Sequence, residues 1–564
     1  MAKYKPKPWL VCCLILVGLL CAVALVCLCV VSLLEKKYPE GTFTHAAVSA
    51  DSRPCSEIGR DILKKGGSAV DGAIAALLCT SVVNPHSMGI GGGSIVTIRN
   101  KNGNVTVYNF RETVPQTFKR NLLKDCPKKK MGLITGPQWI GVPGELRGYE
   151  AMHKHYGKLP WAKLFEPTIR LAKEGIPMPQ FLGKILKYPL LKSHVESTSI
   201  CEVFCDKNNT VLRLGDTLKF PKLAETMETI AEQGAEAFYT GKIGHALIQD
   251  IKAAGGTLTM ADLKSFKVRE SAAWTVPLGH IQMHIPPPPA GGALLAFILE
   301  LMTEFPLSPN TLDSDHEKIL MYHRYIEANK FANGQKRSIR DPAFDNGKSA
   351  DHLIDPSFIQ RIKGMIMSNR THDNAYYFNT KPSRDHVGTT HVSVLDEDGL
   401  AVSATSTINH LFGGGIYSRQ TGIILNNELS DFCDRADTVR PGEQPPSSMT
   451  PVILENTKSG GLLVIGGSGG SMITSAVALS IINRVWLGMK LKDAIDARIV
   501  FVDSNNNVNF EPKFDKTVKD GLVARGHVPG NMPYYFNVVN AVEKENGFIV
   551  AVSDGRKIGM SAGY

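Results

Sequence analysis

Residues 388–409 read GTTHVSVLDEDGLAVSATSTIN. Apolar and polar side chains alternate over 391–395 and again over 400–405, the period of two that marks β-strands. Between them Asp396-Glu397-Asp398-Gly399 is a turn sequence, so the stretch predicts an antiparallel hairpin. Whether the turn takes two residues or four, Thr389 pairs within about two positions of Thr407. Two hydroxyls then meet at the open end of the hairpin, beside a polar stretch, about 366–388, that breaks the regular pattern. Adjacent threonines on strands often do no more than exchange hydrogen bonds, so spacing alone does not make them catalytic.

Working outward, apolar runs recur at 422–425, 450–454 and 462–465. The last enters Gly466-Gly467-Ser468-Gly469-Gly470-Ser471 and then a long helix expected over about 472–487. Upstream, 56–80 read as two helices broken at Gly66-Gly67, the second almost wholly apolar and therefore buried. A glycine-rich turn, Met88-Gly89-Ile90-Gly91-Gly92-Gly93, precedes strands expected over 94–98 and 105–109. It lacks the Lys-Ser/Thr of a phosphate loop and the spacing of a dinucleotide fingerprint, which leaves tight backbone packing. Helical patterns occupy 145–175, 222–252 and 290–303. No internal repeat or low-complexity tract interrupts them. Helices and strands with apolar segments throughout predict stacked α and β layers.

The 564 residues are 43% hydrophobic and 21% charged, a globular composition that excludes disordered, collagen-like and small disulfide-stapled classes. The net charge of +10 is unevenly spread: +13 lies before Thr389 and −3 from there on. No helix-long basic stripe exists, and the densest cluster is Lys128, Lys129 and Lys130, so the charge reads as a solvated surface rather than a nucleic-acid site. Residues 9–34 carry no charge. As a helix they would reach ~39 Å, enough to cross a hydrocarbon core of ~30 Å with tilt. Ala22-Val23-Ala24 resembles a signal-peptidase site, but cutting there would leave an apolar run over 25–34, which favours a retained anchor. Lys3, Lys5 and Lys7 precede the run, placing a tail over 1–8 in the cytoplasm and the body outside, after a linker over 35–44. The expectation is a single-pass type II protein of the cell membrane.

Five of the eleven cysteines lie in the apolar run; the rest are Cys55, Cys79, Cys126, Cys201, Cys205 and Cys433. None gives a zinc spacing, so structural disulfides are expected. Sequons at Asn104, Asn208 and Asn369 agree with an external body as glycosylation sites.

Several motifs now fall into one order. They are Asn84-Pro85-His86-Ser87-Met88-Gly89, Asn109-Phe110-Arg111-Glu112, Val142-Pro143-Gly144-Glu145, Gly388-Thr389-Thr390-His391, Ser406-Thr407-Ile408-Asn409, Asn426-Asn427-Glu428, Pro446-Ser447-Ser448-Met449, Gly466-Gly467-Ser468-Gly469-Gly470 and Ser553-Asp554-Gly555-Arg556-Lys557. In this order and spacing the chain resembles the gamma-glutamyltransferase family across about 45–564. The wording SVVNPHSMGIGGG, PPPPAGGALL and TGIILNNEL is most similar to its gamma-glutamyl leukotrienase branch.

The resemblance implies an α/β fold of the N-terminal-nucleophile (Ntn) hydrolase kind, an αββα four-layer sandwich behind the single transmembrane helix. It implies self-cleavage between Gly388 and Thr389 into a large subunit, 45–388 of the ectodomain, and a small catalytic subunit, 389–564, held as a heterodimer. A hydroxyl is a poor nucleophile until a base takes its proton, and a freed α-amine can serve as that base. Thr407 would orient the Thr389 hydroxyl, and backbone N–H groups at Gly469 and Gly470 would face the oxyanion. Arg111 with Ser447 and Ser448 would hold a glutamate α-carboxylate. Asn409, Glu428 and Asp431 would take its α-ammonium. Disulfides are implied for Cys55–Cys79 and Cys201–Cys205; Cys126 and Cys433 are left as free thiols or as a bridge between fragments. The implied activity is cleavage of gamma-glutamyl bonds in glutathione and S-conjugates such as leukotriene C4, with transfer to amino acids, dipeptides or water and no metal or organic cofactor. The alternatives are an Ntn amidase or acylase with another acyl donor, and an uncleaved, inactive membrane glycoprotein.

Overall fold

The hairpin read from 388–409 forms with Thr390–Leu395 antiparallel to Ala401–Thr407, Thr390 opposite Ser406 and Leu395 opposite Ala401. One further step of that register sets Thr389 opposite Thr407. The turn is longer than expected, residues 396–400, because Asp396 N donates to Leu400 O (3.1 Å) and Gly399, at φ 81°, donates back to Asp396 O (3.1 Å). The structure is a computed structural model that describes residues 17, 22–23, 41–127, 133–345, 350–381, 387–433, 435, 438–532 and 538–564. The chain divides into two units, Met1–Thr42 and Phe43–Tyr564. Apart from Val17, Ala22 and Val23, the tail over 1–8 and the expected span over 9–34 lie outside the described residues, as do 35–40 of the linker and Lys128–Lys130. Among the described residues no helix is long and apolar enough to cross a membrane.

Within the second unit the hairpin is central to a seven-stranded sheet. Its order is Ala562–Gly563, Ala47–Ser49, Thr390–Leu395, Ala401–Thr407, Gly93–Arg99, Val105–Asn109 and Arg269–Ala272. A second sheet runs Phe548–Val552, Val538–Glu545, Leu462–Ser468, Val452–Asn456, Ile281–Ile285 and Trp274–Leu278. Val392, Val394, Val402 and Ala404 pack against the helices Arg53–Lys64 and Ala69–Val83. Every residue of Ala69–Val83 is buried, as its all-round apolar sequence requires. The far face of the second sheet is covered by Gly292–Thr303, Asp315–Gln335 and Ile473–Ile481. Between the sheets Leu395 and Ala401 meet Ile453, Val464 and Val542. The layers therefore run helix, sheet, sheet, helix.

Both faces of the hairpin are buried. Alternation usually marks a sheet with one wet face, but here the polar face is turned onto the second sheet. Ser403 Oγ donates to Ile465 O (3.0 Å), Ser393 Oγ to Asn540 O (3.2 Å) and Thr97 Oγ1 to Pro451 O (2.7 Å). His391 lies between Thr405 Oγ1 (2.8 Å) and Ser393 Oγ (2.9 Å), and burial pushes its imidazole down to about 3, so it stays neutral. Each hydroxyl finds a partner, which matters because an orphaned buried one costs about 1–3 kcal/mol.

Elsewhere the expected elements are shorter than their patterns. The 145–175 pattern is two helices, Glu145–Tyr156 and Trp161–Glu174, parted at Gly157 and Pro160. The 222–252 pattern is three, and the helix expected to 487 ends at Ile481 and passes into a π-turn, Ile482–Trp486. The 422–425 run is no strand; Ile424 makes only a single bridge to Tyr417. The glycine-rich turn packs backbone on backbone: a Cβ on Gly92 would lie 2.1 Å from Thr407 O.

Cys55–Cys79 and Cys201–Cys205 are disulfides, and Cys126–Cys433 is a third, joining residues 307 apart. Asn104, Asn208 and Asn369 are all exposed.

Glu145, at the start of its helix, ties three elements together. Its carboxylate accepts from Ser94 Oγ (2.8 Å), Ser406 Oγ (2.9 Å) and Tyr149 OH (2.6 Å). Burial outweighs these donors and raises its pKa from 4.5 to about 7. The folded state therefore keeps a proton that the unfolded chain releases near pH 4.5, so stability falls as pH rises to about 7 and is level above. The loss is expected to be roughly 3 kcal/mol. Denaturant unfolding at a series of pH values should show that decline in the native protein and a flatter curve in Glu145→Gln.

Candidate active site

The two threonines at the open end of the hairpin meet. Thr389 Oγ1 donates to Thr407 Oγ1 at 3.1 Å, and Asn409 N donates to Thr407 Oγ1 at 2.8 Å, so the second hydroxyl is fixed from both sides. Thr389 has φ 80° and Asn409 φ 73°. Asparagine tolerates the left-handed region, whereas a β-branched residue there is strained by about 1–3 kcal/mol. Gly388 is required by contact: a Cβ on it would lie 1.8 Å from Asn409 O.

The glycine-rich segment after Leu462–Ser468 reaches the same point. Gly469, at φ 114°, donates its N–H to Gly388 O at 3.0 Å. Gly470 follows at φ 60° and opens the turn Gly470–Met472 into the helix Ile473–Ile481. A backbone donor thus already faces the carbonyl of the residue before Thr389. Such a donor, preset before charge develops, is what an oxyanion requires.

A charged cluster lies beside these groups. Arg111, 1% exposed, pairs through Nη1 with Glu428 Oε1 (2.5 Å) and through Nη2 with Asp431 Oδ2 (2.7 Å). Its remaining contacts run to the carbonyls of Pro445 (2.8 Å, from Nε) and Pro446 (2.8 Å, from Nη2). Those carbonyls lie just before Ser447 and Ser448, both half-buried, and Ser447 Oγ accepts from Met449 N (3.1 Å). Asn409 Nδ2 donates to Asp431 Oδ1 (2.9 Å) and Ser430 Oγ (3.0 Å), linking the cluster to Thr407. The structure therefore brings Arg111, Asn409, Glu428 and Asp431 into one network, but the guanidinium fork expected to face a carboxylate is engaged by Glu428 and Asp431. Burial raises Glu428 to about 7 against the pull of Arg111. Glu112, fully buried beside it, is pushed well above the usual carboxyl range by burial and by Glu428.

The gamma-glutamyltranspeptidase sequence profile matches residues 55–564. The chain belongs to that family. Among curated relatives, the glutathione hydrolase 5 proenzyme of Mus musculus is 45% identical over 98% of each chain. Glutathione hydrolase 3 of Arabidopsis thaliana is 36% identical over 92% of this chain and 84% of that one. Among solved structures, the Helicobacter pylori gamma-glutamyltranspeptidase shares 28% identity at a TM-score of 0.52, covering 57% of this chain and 93% of that one. A cephalosporin acylase from Bacillus halodurans, 23% identical, superposes with a TM-score of 0.82 over 94% and 98% of the two chains, a likeness of fold. As a member of the gamma-glutamyltranspeptidase family the chain is an enzyme of gamma-glutamyl transfer with an Ntn-type fold.

Glu112 and Asp51 had no role assigned from sequence. Glu112 stands next to Arg111 in its motif, and a second acid beside a clamp arginine was the available signal. Asp51 had none: it lies outside the quoted motifs, yet it accepts from Thr390 Oγ1 (2.7 Å), Asn540 Nδ2 (2.8 Å) and Lys557 Nζ (2.7 Å).

The contact at Gly388 gives a direct test. On an uncut Thr389→Ala background, Gly388→Ala should push the Asn409 carbonyl away and lower unfolding free energy by about 1–3 kcal/mol, as overpacking does. Denaturant titration of the double variant against Thr389→Ala measures it.

Proposed function

We propose that this chain is a single-pass type II membrane ectoenzyme that cuts itself between Gly388 and Thr389 and then uses Thr389 to cleave gamma-glutamyl bonds. Its substrates would be glutathione and glutathione S-conjugates, leukotriene C4 among them. The observation that carries this reading is one junction: the Thr389 hydroxyl on Thr407, and the Gly388 carbonyl on the Gly469 N–H.

In the first reaction Thr389 Oγ1 attacks the Gly388 carbonyl carbon, and the oxyanion forms where Gly469 already donates. The C–N bond breaks, the hydroxyl proton ends on the Thr389 nitrogen, and water hydrolyses the ester. Gly388 becomes a carboxylate and Thr389 a free N-terminus. The positive φ of Thr389 supports this step, because cleavage releases backbone strain. The word proenzyme in the names of the glutathione hydrolase 5 relatives fits it too.

In turnover the free amine takes the Thr389 hydroxyl proton as oxygen attacks the gamma-carbonyl carbon. The amide nitrogen leaves with a proton, and water or an acceptor amine releases the gamma-glutamyl group. Arg111, Ser447 and Ser448 would hold the α-carboxylate. Asn409, Glu428 and Asp431 would turn to the α-ammonium, leaving the guanidinium fork to the substrate. The membrane anchor rests on the uncharged run over 9–34, and the external body on the exposed sequons and three disulfides.

Thr389→Ala should run as one chain on a denaturing gel and release no glutamate from glutathione, while the native protein runs as two fragments. A native small fragment beginning at Thr390 would refute the assignment. Because Cys126 lies before the cut and Cys433 after it, the native fragments should separate on that gel only with reductant. Arg111→Lys keeps the charge but loses the planar fork. Its kcat/KM for glutathione should fall more than tenfold, about 1.5–3 kcal/mol, with cleavage intact.

A further inference from the structure

The C-terminal motif Asp554-Gly555-Arg556-Lys557 has no part in the chemistry above, yet its last residue touches the nucleophile. Lys557 is 4% exposed, and its Nζ donates to Thr389 O (2.7 Å), Ser468 Oγ (2.8 Å) and Asp51 Oδ2 (2.7 Å). Its three hydrogens are thereby used, on the nucleophile, on the residue before the oxyanion donor Gly469, and on one carboxylate. We infer that Lys557 is a positioning residue that holds Thr389 against the Gly469 loop and, by like-charge repulsion, keeps the freed Thr389 amine a neutral base. This rests on the reading of Thr389 as an N-terminal nucleophile.

The distance supports the electrostatic half. The nitrogen and carbonyl oxygen of one residue are three bonds, at most about 4.2 Å, apart, so Nζ lies within about 7 Å of that amine. An ordinary α-amine titrates at about 7.7–8.0 and would be largely protonated, and so useless as a base, just below that range. A neighbouring ammonium in a buried setting disfavours the second positive charge.

Asp51 is the counter-charge, and it reaches the strand through the next residue, Thr390. His86, from the turn after Ala69–Val83, is held well below the usual imidazole range by burial and by Lys557, and is uncharged. His391 on the hairpin is neutral. Gly469 and Gly470 bring no charge, and Asp431 stands behind Asn409. Among the described residues the cation contacting Thr389 directly is Lys557.

The test is the pH profile of kcat/KM on the full-length cleaved enzyme, with a chromogenic gamma-glutamyl anilide as probe. In Lys557→Met the acid limb should move up by about one pH unit, so that the loss is roughly tenfold greater near pH 6.5 than near pH 9. Lys557→Arg should keep the native limb. Asp51→Asn should move it the other way, and it decides the matter where Lys557→Met does not fold. A limb that stays fixed in both charge-removing variants, with activity lowered by one factor at every pH, overturns the inference. N-terminal sequencing of the small fragment separates the two levels: a start other than Thr389 removes the nucleophile reading and this inference together. A Thr389 start with an immobile limb removes this inference alone.

Discussion

The site depends on the register of one hairpin. With Thr390 opposite Ser406, Thr389 can only face Thr407, and a slip of one residue would turn both hydroxyls into opposite layers. Two features hold that register. Valines and alanines on one face are packed on a fully buried helix, and hydroxyls on the other are matched to carbonyls of the second sheet. A slipped strand would bury unpaired hydroxyls on one side and leave valines facing carbonyls on the other. The precision of the threonine pair is thus inherited from the sandwich rather than from the loops around it.

The hairpin was legible because its signal is local: a two-residue period around an acidic turn. The sandwich partner was not, since alternation states only that two faces differ. That the polar face of His391, Ser393, Ser403 and Thr405 is covered by a second sheet follows from pairings between residues more than fifty positions apart. Element ends were missed for the same kind of reason. The apolar pattern of 472–487 continues past Ile481, where the helix changes to a π-turn, and 422–425 has a strand's composition but no strand to pair with.

At the site the sequence supplied residue types and the fold supplied their partners. Gly388, Gly469, Thr389 and Thr407 were identified, but not that Gly388 O already rests on Gly469 N–H. Arg111, Glu428 and Asp431 were named together, but not that they are bonded to one another. Asp51 and Lys557 come from the two ends of the body, separated by 506 residues, and no spacing rule could join them.

If Arg111 takes the substrate carboxylate as proposed, its engaged fork would set a selection rule on ligands. With Glu428 and Asp431 already on the guanidinium, the cluster is internally compensated, so in the proposed clamp a guest would have to exchange partners rather than merely add one. A zwitterion would do this in a single move, its carboxylate replacing the acids on the arginine while its ammonium received them. A plain carboxylic acid would displace two buried acids and offer them nothing. A plain amine would draw the acids away and leave a buried guanidinium bare, so either half alone is refused by the charge the other half would have supplied.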